Sequence, residues 1–336
     1  MKKILSLIVT MVFVLSLGMV AFAETDPAGN TFGDQTQGDW TNVKFKKSIT
    51  TIENTGALHP AETFEFTVIP VSAKDEQNND ITPIPDIGNF NIAVTEGSGY
   101  AIATVDLPYF NNIGTYVYKV AETASDTAGM GYDANEYTFT VVVLNDGQGQ
   151  RKRLILKKSE SKDATTGQKT DVFDNKYDAG SLVVNKEITG NNANFEETFP
   201  VKVTLTASEG KKINSTISVA GVAGNEGTVV QTGNGTNEIV ITFDVTNESN
   251  VIISNIPYDV RYVVEETNLR NYTATYDDNK TGSIGAASIA TKITNDLSRD
   301  IATGIFLDSL PYVILLGAAA VGIVFLVVRK RKQVNF

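Results

Sequence analysis

The sequence predicts an all-β protein built as two tandem β-sandwich domains, and three observations carry that prediction. Segments such as Phe64-Glu65-Phe66-Thr67-Val68, Tyr116-Val117-Tyr118-Lys119-Val120 and Tyr137-Thr138-Phe139-Thr140-Val141 alternate with period two and are rich in Thr, Val and aromatic residues, as half-buried strands are. Turn chemistry separates them: Asp146-Gly147 divides Phe139–Leu144 from Leu154–Leu156, and Asn234-Gly235 divides Thr228–Gln231 from Glu238–Phe243. The stretch between the terminal segments, about 280 residues, exceeds one sandwich, since a domain holds ~100–200 residues. None of it has the period of a long amphipathic helix.

The two ends define where the chain goes. Met1-Lys2-Lys3, an apolar run from Ile4 to Phe22 and the closing Ala21-Phe22-Ala23 have the zones of a secretory signal, so residues 1–23 are expected to be removed after Ala23. Residues 24–37 form a polar, Gly-containing leader. At the other end, 310–328 is free of charge and close to the ~20 residues of a membrane-spanning helix. Arg329-Lys330-Arg331-Lys332 follows at once, which places that end on the cytoplasmic side. A single-pass protein shares these features. Here, however, Asp300-Ile301-Ala302-Thr303-Gly304 precedes them, and a Thr-Gly pair before an apolar stretch and basic tail resembles a cell-wall sorting signal. Residues 299–336 are read as that unit, with a sortase cutting between Thr303 and Gly304.

Composition narrows the function of the exported part. Residues 24–303 carry 22 basic against 38 acidic side chains, net −16, which repels nucleic acid and leaves no basic footprint. The chain has no cysteine, so no disulfide stabilises it outside the cell. Its single histidine, His59, has no Ser, Cys or ligand cluster beside it in sequence. A triad or metal site therefore lacks raw material; His59 is read as a loop residue, and no cofactor is expected.

An internal repeat divides the domains. Lys47-Ser48-Ile49-Thr50 recurs as Lys186-Glu187-Ile188-Thr189, and Glu62-Thr63-Phe64 as Glu197-Thr198-Phe199. Tyr118-x-x-x-Glu122 recurs as Tyr262-x-x-x-Glu266, and Phe173-x-Asn175 as Ile293-x-Asn295, all in the same order. The boundary falls near Tyr177-Asp178-Ala179-Gly180, giving domains 38–177 and 178–298, each with one Lys, one Glu and one Asn from the repeat.

Those polar residues are expected to point inward. Val43, Phe45, Lys47 and Ile49 share one side of a strand; Tyr116, Tyr118, Val120 and Glu122 share one side of another; Phe173 and Asn175 end a third. Leu182, Val184, Lys186 and Ile188, then Val260, Tyr262, Val264 and Glu266, repeat the pattern, and alternation selects Glu266 over Glu265. An inward lysine taken singly reads as a strand-end residue reaching back to water. Two ordered sets read otherwise. A buried lysine tends to lose its proton and a buried carboxyl to keep one. A neutral amine is a nucleophile, and a protonated Glu can polarise an Asn carbonyl and shuttle protons. The fold supplies proximity, worth roughly 7–11 kcal/mol of barrier. Ammonia leaves and an amide remains.

This order of Lys on the first strand, Glu on a Tyr-x-x-x-Glu strand and Asn on the last resembles the Ig-like Cna B-type domains of Gram-positive surface proteins. Two such domains, the stretch Lys186-Glu187-Ile188-Thr189-Gly190 and the Thr-Gly signal make the whole mature chain similar to the T-antigen-like backbone pilins of streptococci. The resemblance implies intramolecular isopeptide bonds Lys47–Asn175 and Lys186–Asn295, assisted by Glu122 and Glu266, each tying the first strand of a domain to its last. It also implies that a pilin-specific sortase joins the Thr303 carboxyl to a lysine of an identical subunit, with Lys169 nearest the expected acceptor position and Lys162 next. A housekeeping sortase, minor pilins and peptidoglycan are the further partners implied, and a cell-surface pilus joined to the wall is the location. The family carries Pro in its sorting motif where this chain has Ala302.

Three classes compete. A monomeric wall-anchored adhesin predicts a ligand-binding domain beyond the stalk, and none is present in the sequence; a secreted enzyme predicts a catalytic constellation; a polymerising pilin predicts an acceptor lysine in its first domain. The pilin fits best, with a minor or anchoring pilin as the alternative and no enzymatic turnover beyond self-cross-linking. Four Asn-x-Ser/Thr sequons, at Asn214, Asn234, Asn247 and Asn271, are read as accidents of composition, because a wall-sorting signal points to a bacterium.

Overall fold

The computed structural model describes residues 35–36, 39–52, 55–145, 151–159, 172–222, 229–299 and 305–333. In chain order its first half holds β1 (Gln35–Thr36), β2 (Asp39–Trp40), β3 (Asn42–Thr51), β4 (Glu62–Lys74), β5 (Phe90–Val94), β6 (Tyr100–Asp106), β7 (Gly114–Thr123), β8 (Met130–Gly131), β9 (Glu136–Asn145), β10 (Arg151–Ser159) and β11 (Val172–Tyr177). Its second half holds β12 (Ala179–Thr189), β13 (Phe199–Thr206), β14 (Ser218–Ala220), β15 (Val230–Thr232), β16 (Glu238–Val245), β17 (Asn250–Pro257), β18 (Arg261–Glu266), β19 (Thr273–Tyr276), β20 (Thr281–Ser283) and β21 (Ser288–Asp296). One helix, α1 (Ile305–Gln333), follows. The all-β class read from the alternation is the class observed.

Each half is a two-layer sandwich. In the first, a sheet of order β10-β9-β7-β4-β5 faces one of order β6-β3-β11-β8, with β1 and β2 as a separate ribbon. In the second, β14-β17-β12-β21-β19 faces β15-β16-β13-β18-β20. The inward set along β3 and β7 alternates with half-buried residues as the period-two pattern requires. The two cores differ in content. Phe45, Phe64, Phe66, Tyr116, Tyr118, Tyr137, Phe139 and Phe173 fill the first, whereas Leu, Val and Ile side chains dominate the second.

One pairing sets the architecture. β3 and β11 run parallel, with Lys47 opposite Phe173 and Ile49 opposite Asn175. β12 and β21 do the same, with Lys186 opposite Ile293 and Ile188 opposite Asn295. A parallel pair cannot be closed by a hairpin. The crossover is here the remainder of the domain, so the first long strand and the last lie side by side within one sheet. Gly190 ends the β12 stretch at φ +109, where a Cβ would collide with the Leu297 backbone.

A single residue, Asp178, separates β11 from β12. Its N–H donates to Gly129 O at 3.0 Å and its carbonyl accepts from Tyr258 N at 2.9 Å. Ala128 packs into the core of the second half, and its N–H donates to Lys212 O at 2.8 Å. On another side, Asn255 spans the Leu58 backbone, accepting its N–H at 2.9 Å and donating to its carbonyl at 2.9 Å. Two sequon asparagines have structural partners: Asn214 donates to Thr127 Oγ1 at 2.9 Å, and Asn247 Oδ1 accepts from Ile188 N at 2.8 Å. Within α1, Pro311–Lys330 is long and apolar enough to cross a membrane.

Candidate functional site

Two buried clusters stand at matching places in the two sandwiches. Lys47 on β3 and Asn175 on β11 lie diagonally across the parallel ladder on one face, and Glu122 reaches them from β7 in the facing sheet, where it pairs with Phe66. Lys186 on β12 and Asn295 on β21 repeat the diagonal, and Glu266 comes from β18, paired with Val201. The offsets match: each Glu opposes the residue two beyond the Phe of the repeated Glu-Thr-Phe. That Phe has its own part. Lys47 Nζ lies 4.9 Å from the Phe64 ring centre, and Lys186 Nζ 4.5 Å from that of Phe199.

The glutamates bridge the other two side chains. Lys47 Nζ is 3.1 Å from Glu122 Oε2, while Asn175 Nδ2 donates to Glu122 Oε1 at 2.6 Å. Lys186 Nζ donates to Glu266 Oε2 at 2.8 Å, and Asn295 Nδ2 donates to Glu266 Oε1 at 2.6 Å. Neither lysine nor glutamate side chain has exposed surface, and both asparagines are fully buried. Lys47 also donates to Phe173 O at 3.1 Å. Glu266 is further held by its own N–H, which donates to Tyr276 Oη at 2.8 Å.

Burial decides the electrostatics. It pushes the Lys47 and Lys186 amines below the ordinary lysine value of 10.5, outweighing the pull of the adjoining glutamates. It pushes the Glu122 carboxyl above 4.5, against the opposing influence of Lys47 and Asn175. In the first cluster the two shifts favour an uncharged amine and a protonated carboxyl together. The carboxyl spans nucleophile and leaving group, so a proton taken from Nζ at Oε2 can be returned to Nδ2 at Oε1.

This geometry revises one expectation. The glutamate lies against the amide nitrogen of the asparagine, so polarising the carbonyl is not its contact. In the first cluster that contact belongs to Asp133, whose backbone N–H donates to Asn175 Oδ1 at 2.7 Å. Asp133 follows β8 outside any strand, and a backbone donor leaves no mark in the sequence. In the second cluster, Asn295 Oδ1 has no hydrogen-bond partner among the described residues.

The remaining sequence candidates separate. Glu265 is on the outer face, paired with Lys202 at 2.9 Å. His59 is in a loop, yet it is buried, its ring nitrogens 2.9 Å from Pro60 O and 2.7 Å from Ser98 O. Ala23, Lys162, Lys169, Thr303 and Gly304 lie outside the described residues.

Comparisons with known proteins follow the same division. Residues 43–178 match the family model described as a Spy0128-like isopeptide containing domain, and residues 180–297 match one described as a domain of unknown function. A curated protein named Pilin, from Streptococcus pyogenes serotype M1, is 26% identical over 306 residues, covering 83% of this chain and 87% of its own. Two solved major pilins of Streptococcus pyogenes share the fold. T3.2 has a TM-score of 0.51 at 23% identity and covers 78% of this chain and 99% of its own. T-13 has a TM-score of 0.50 at 20% identity and covers 78% and 98%.

Proposed function

We propose that this chain is a major pilin of a Gram-positive bacterium, a structural subunit and not an enzyme, whose two domains are locked by self-formed bonds Lys47–Asn175 and Lys186–Asn295. The observation that carries this reading is the pair of buried Lys–Glu–Asn clusters on one strand frame, in a chain similar along most of its length to a curated pilin. On this reading the chain belongs in a cell-surface pilus among identical subunits, as its likeness to the curated pilin supports. In the fuller reading, a pilin-specific sortase cuts between Thr303 and Gly304 and transfers Thr303 to Lys169, or to Lys162, of the next subunit. A housekeeping sortase then fixes the finished polymer, with minor pilins, to peptidoglycan, and α1 holds each subunit in the membrane until it is cut.

Each bond closes a loop of more than a hundred residues, worth about 5 kcal/mol by the estimate used for disulfides. Unlike a disulfide it cannot be reduced. The test is the intact mass of residues 24–303 beside Lys47→Ala and Lys186→Ala. A deficit of two ammonia molecules, falling to one in each variant, is the expected result; the full mass in the unmutated chain sinks the cross-links. Blotting of wall extracts for this chain reads polymerisation: a ladder is expected, and one added mass indicates a minor subunit instead.

A further inference from the structure

We infer that the backbone N–H of Asp133 is an oxyanion donor for the first cross-link with no counterpart at the second among the described residues, so that Lys47–Asn175 closes faster than Lys186–Asn295. The inference rests on the isopeptide reading and concerns how its two reactions differ.

The step balances without any co-reactant. Lys47 Nζ adds to Asn175 Cγ as a carbonyl electron pair moves onto Oδ1. A proton passes from Nζ through Glu122 to Nδ2, the Cγ–Nδ2 bond breaks, the pair returns from Oδ1, and ammonia departs. Charge gathers on Oδ1 in between, where preorganised donors act most strongly. Asp133 N is 2.7 Å from that atom in a buried site.

The donor is held from several sides. Asp133 Oδ2 accepts from Tyr137 Oη at 2.8 Å and from Asp174 N at 3.3 Å, and Oδ1 accepts from Asn135 N at 2.9 Å and Asn135 Nδ2 at 2.6 Å. One residue thus grips the strand at Asp174 with its side chain and the Asn175 amide with its backbone. Tyr137 and Asn135 are positioning residues that act through it. Strand length explains the asymmetry. β8 stops at Gly131, opposite Lys176, and the chain leaves the ladder there, so that Asp133 lies beside Asp174 and Asn175 outside any strand. β19 instead continues in register along β21, with Ala274 opposite Asn295, and its backbone is spent on the ladder. Asn295 Oδ1 is left without a donor among the described residues.

Losing one oxyanion donor slows reactions by about 10²–10³. The experiment is cell-free synthesis of residues 24–303 carrying Lys186→Ala, which leaves only the first bond, or Lys47→Ala, which leaves only the second. Samples are quenched in acid over time and ammonia loss is read by intact mass. The first bond is expected to close at least about tenfold sooner. In the Lys186→Ala chain, Asp133→Pro, which has no N–H, is expected to slow closure toward the pace of the second bond, and Asp133→Asn, which keeps it, is not. A second bond that keeps pace with the first overturns the inference, and that comparison stands even where Asp133→Pro does not fold. A folded Asp133→Pro chain that closes at the original rate removes Asp133 from the reaction. Chains that never lose ammonia overturn the isopeptide reading along with it.

Discussion

The two domains carry the same three side chains on the same strand frame and surround them differently. Around the first cluster lies an aromatic lattice: Phe173 packs with Phe66 and Tyr137 at ring-centre distances of 4.7 and 4.4 Å, and Phe45 stacks on Phe90 at 5.0 Å. Around the second lie mostly aliphatic side chains, with the Phe199–Tyr272 edge contact at 5.1 Å. The first asparagine is held by a segment outside the strands, at Asp133, and the second stands in a regular ladder. Strand register fixes which groups meet, whereas turns and core content set how the meeting is tuned.

The largest expected effect breaks the symmetry outright. Glu266→Gln is expected to keep the second domain's full mass and lower its stability by about 5 kcal/mol, leaving the first bond formed; Glu122→Gln should do the reverse. Mass spectrometry of peptides and calorimetry of the two transitions check this. A bond that still forms without its glutamate would remove the proton relay from the mechanism. Next comes packing. Phe173→Ala is expected to cost ~3–5 kcal/mol in denaturant unfolding, since its rigid ring neighbours collapse poorly into the gap. Ile293→Ala, at the matching position among aliphatic groups, is expected near the lower end of ~2–5 kcal/mol. The comparison fails if the second exceeds the first.

A smaller effect reports the buried amine. Burial lowers the folded-state pKa of Lys47 below 10.5, so between those two values the unfolded chain binds a proton that the folded one has released. The stability tied to Lys47 is complete above 10.5 and is lost as pH falls toward the folded value. In Asn175→Ala, which cannot cross-link, stability measured against Asn175→Ala with Lys47→Met is expected to rise with pH from neutral toward alkaline conditions. A flat or falling difference contradicts a buried uncharged lysine. The smallest effect falls one residue from the largest: Glu265→Gln loses only the exposed pair with Lys202, ~0–1 kcal/mol, and keeps its bond.

That neighbouring contrast also measures what could be read without coordinates. Period-two alternation separates Glu266 from Glu265, and the repeat brings Lys186 and Asn295 into one set, because both signals are side-chain patterns along strands. The Phe of Glu-Thr-Phe was visible as a repeat, but its place under the lysine needed the facing sheet. Asp133 was not legible, since its contact is made by a backbone group at a strand end. Nor was Asn255, whose left-handed backbone (φ +63) turns its amide onto Leu58 in the other domain. His59 read correctly as a loop residue, while the 2.7 Å contact of its Nε2 with Ser98 O, distant in sequence, was not visible.

The one-residue junction has a consequence for damage. With both amide clasps in place, a protease cut anywhere between Lys47 and Asn175, or between Lys186 and Asn295, opens a loop and leaves the pieces joined. Between the two clasps, only the tract 176–185 lets one cut separate the domains. The residue of this tract outside a strand, Asp178, has its N–H tied to Gly129 and its carbonyl tied to Tyr258, and the residues on either side belong to strands. In an extracellular fibre made of such subunits, a single nick inside either clasped loop would leave the length unchanged.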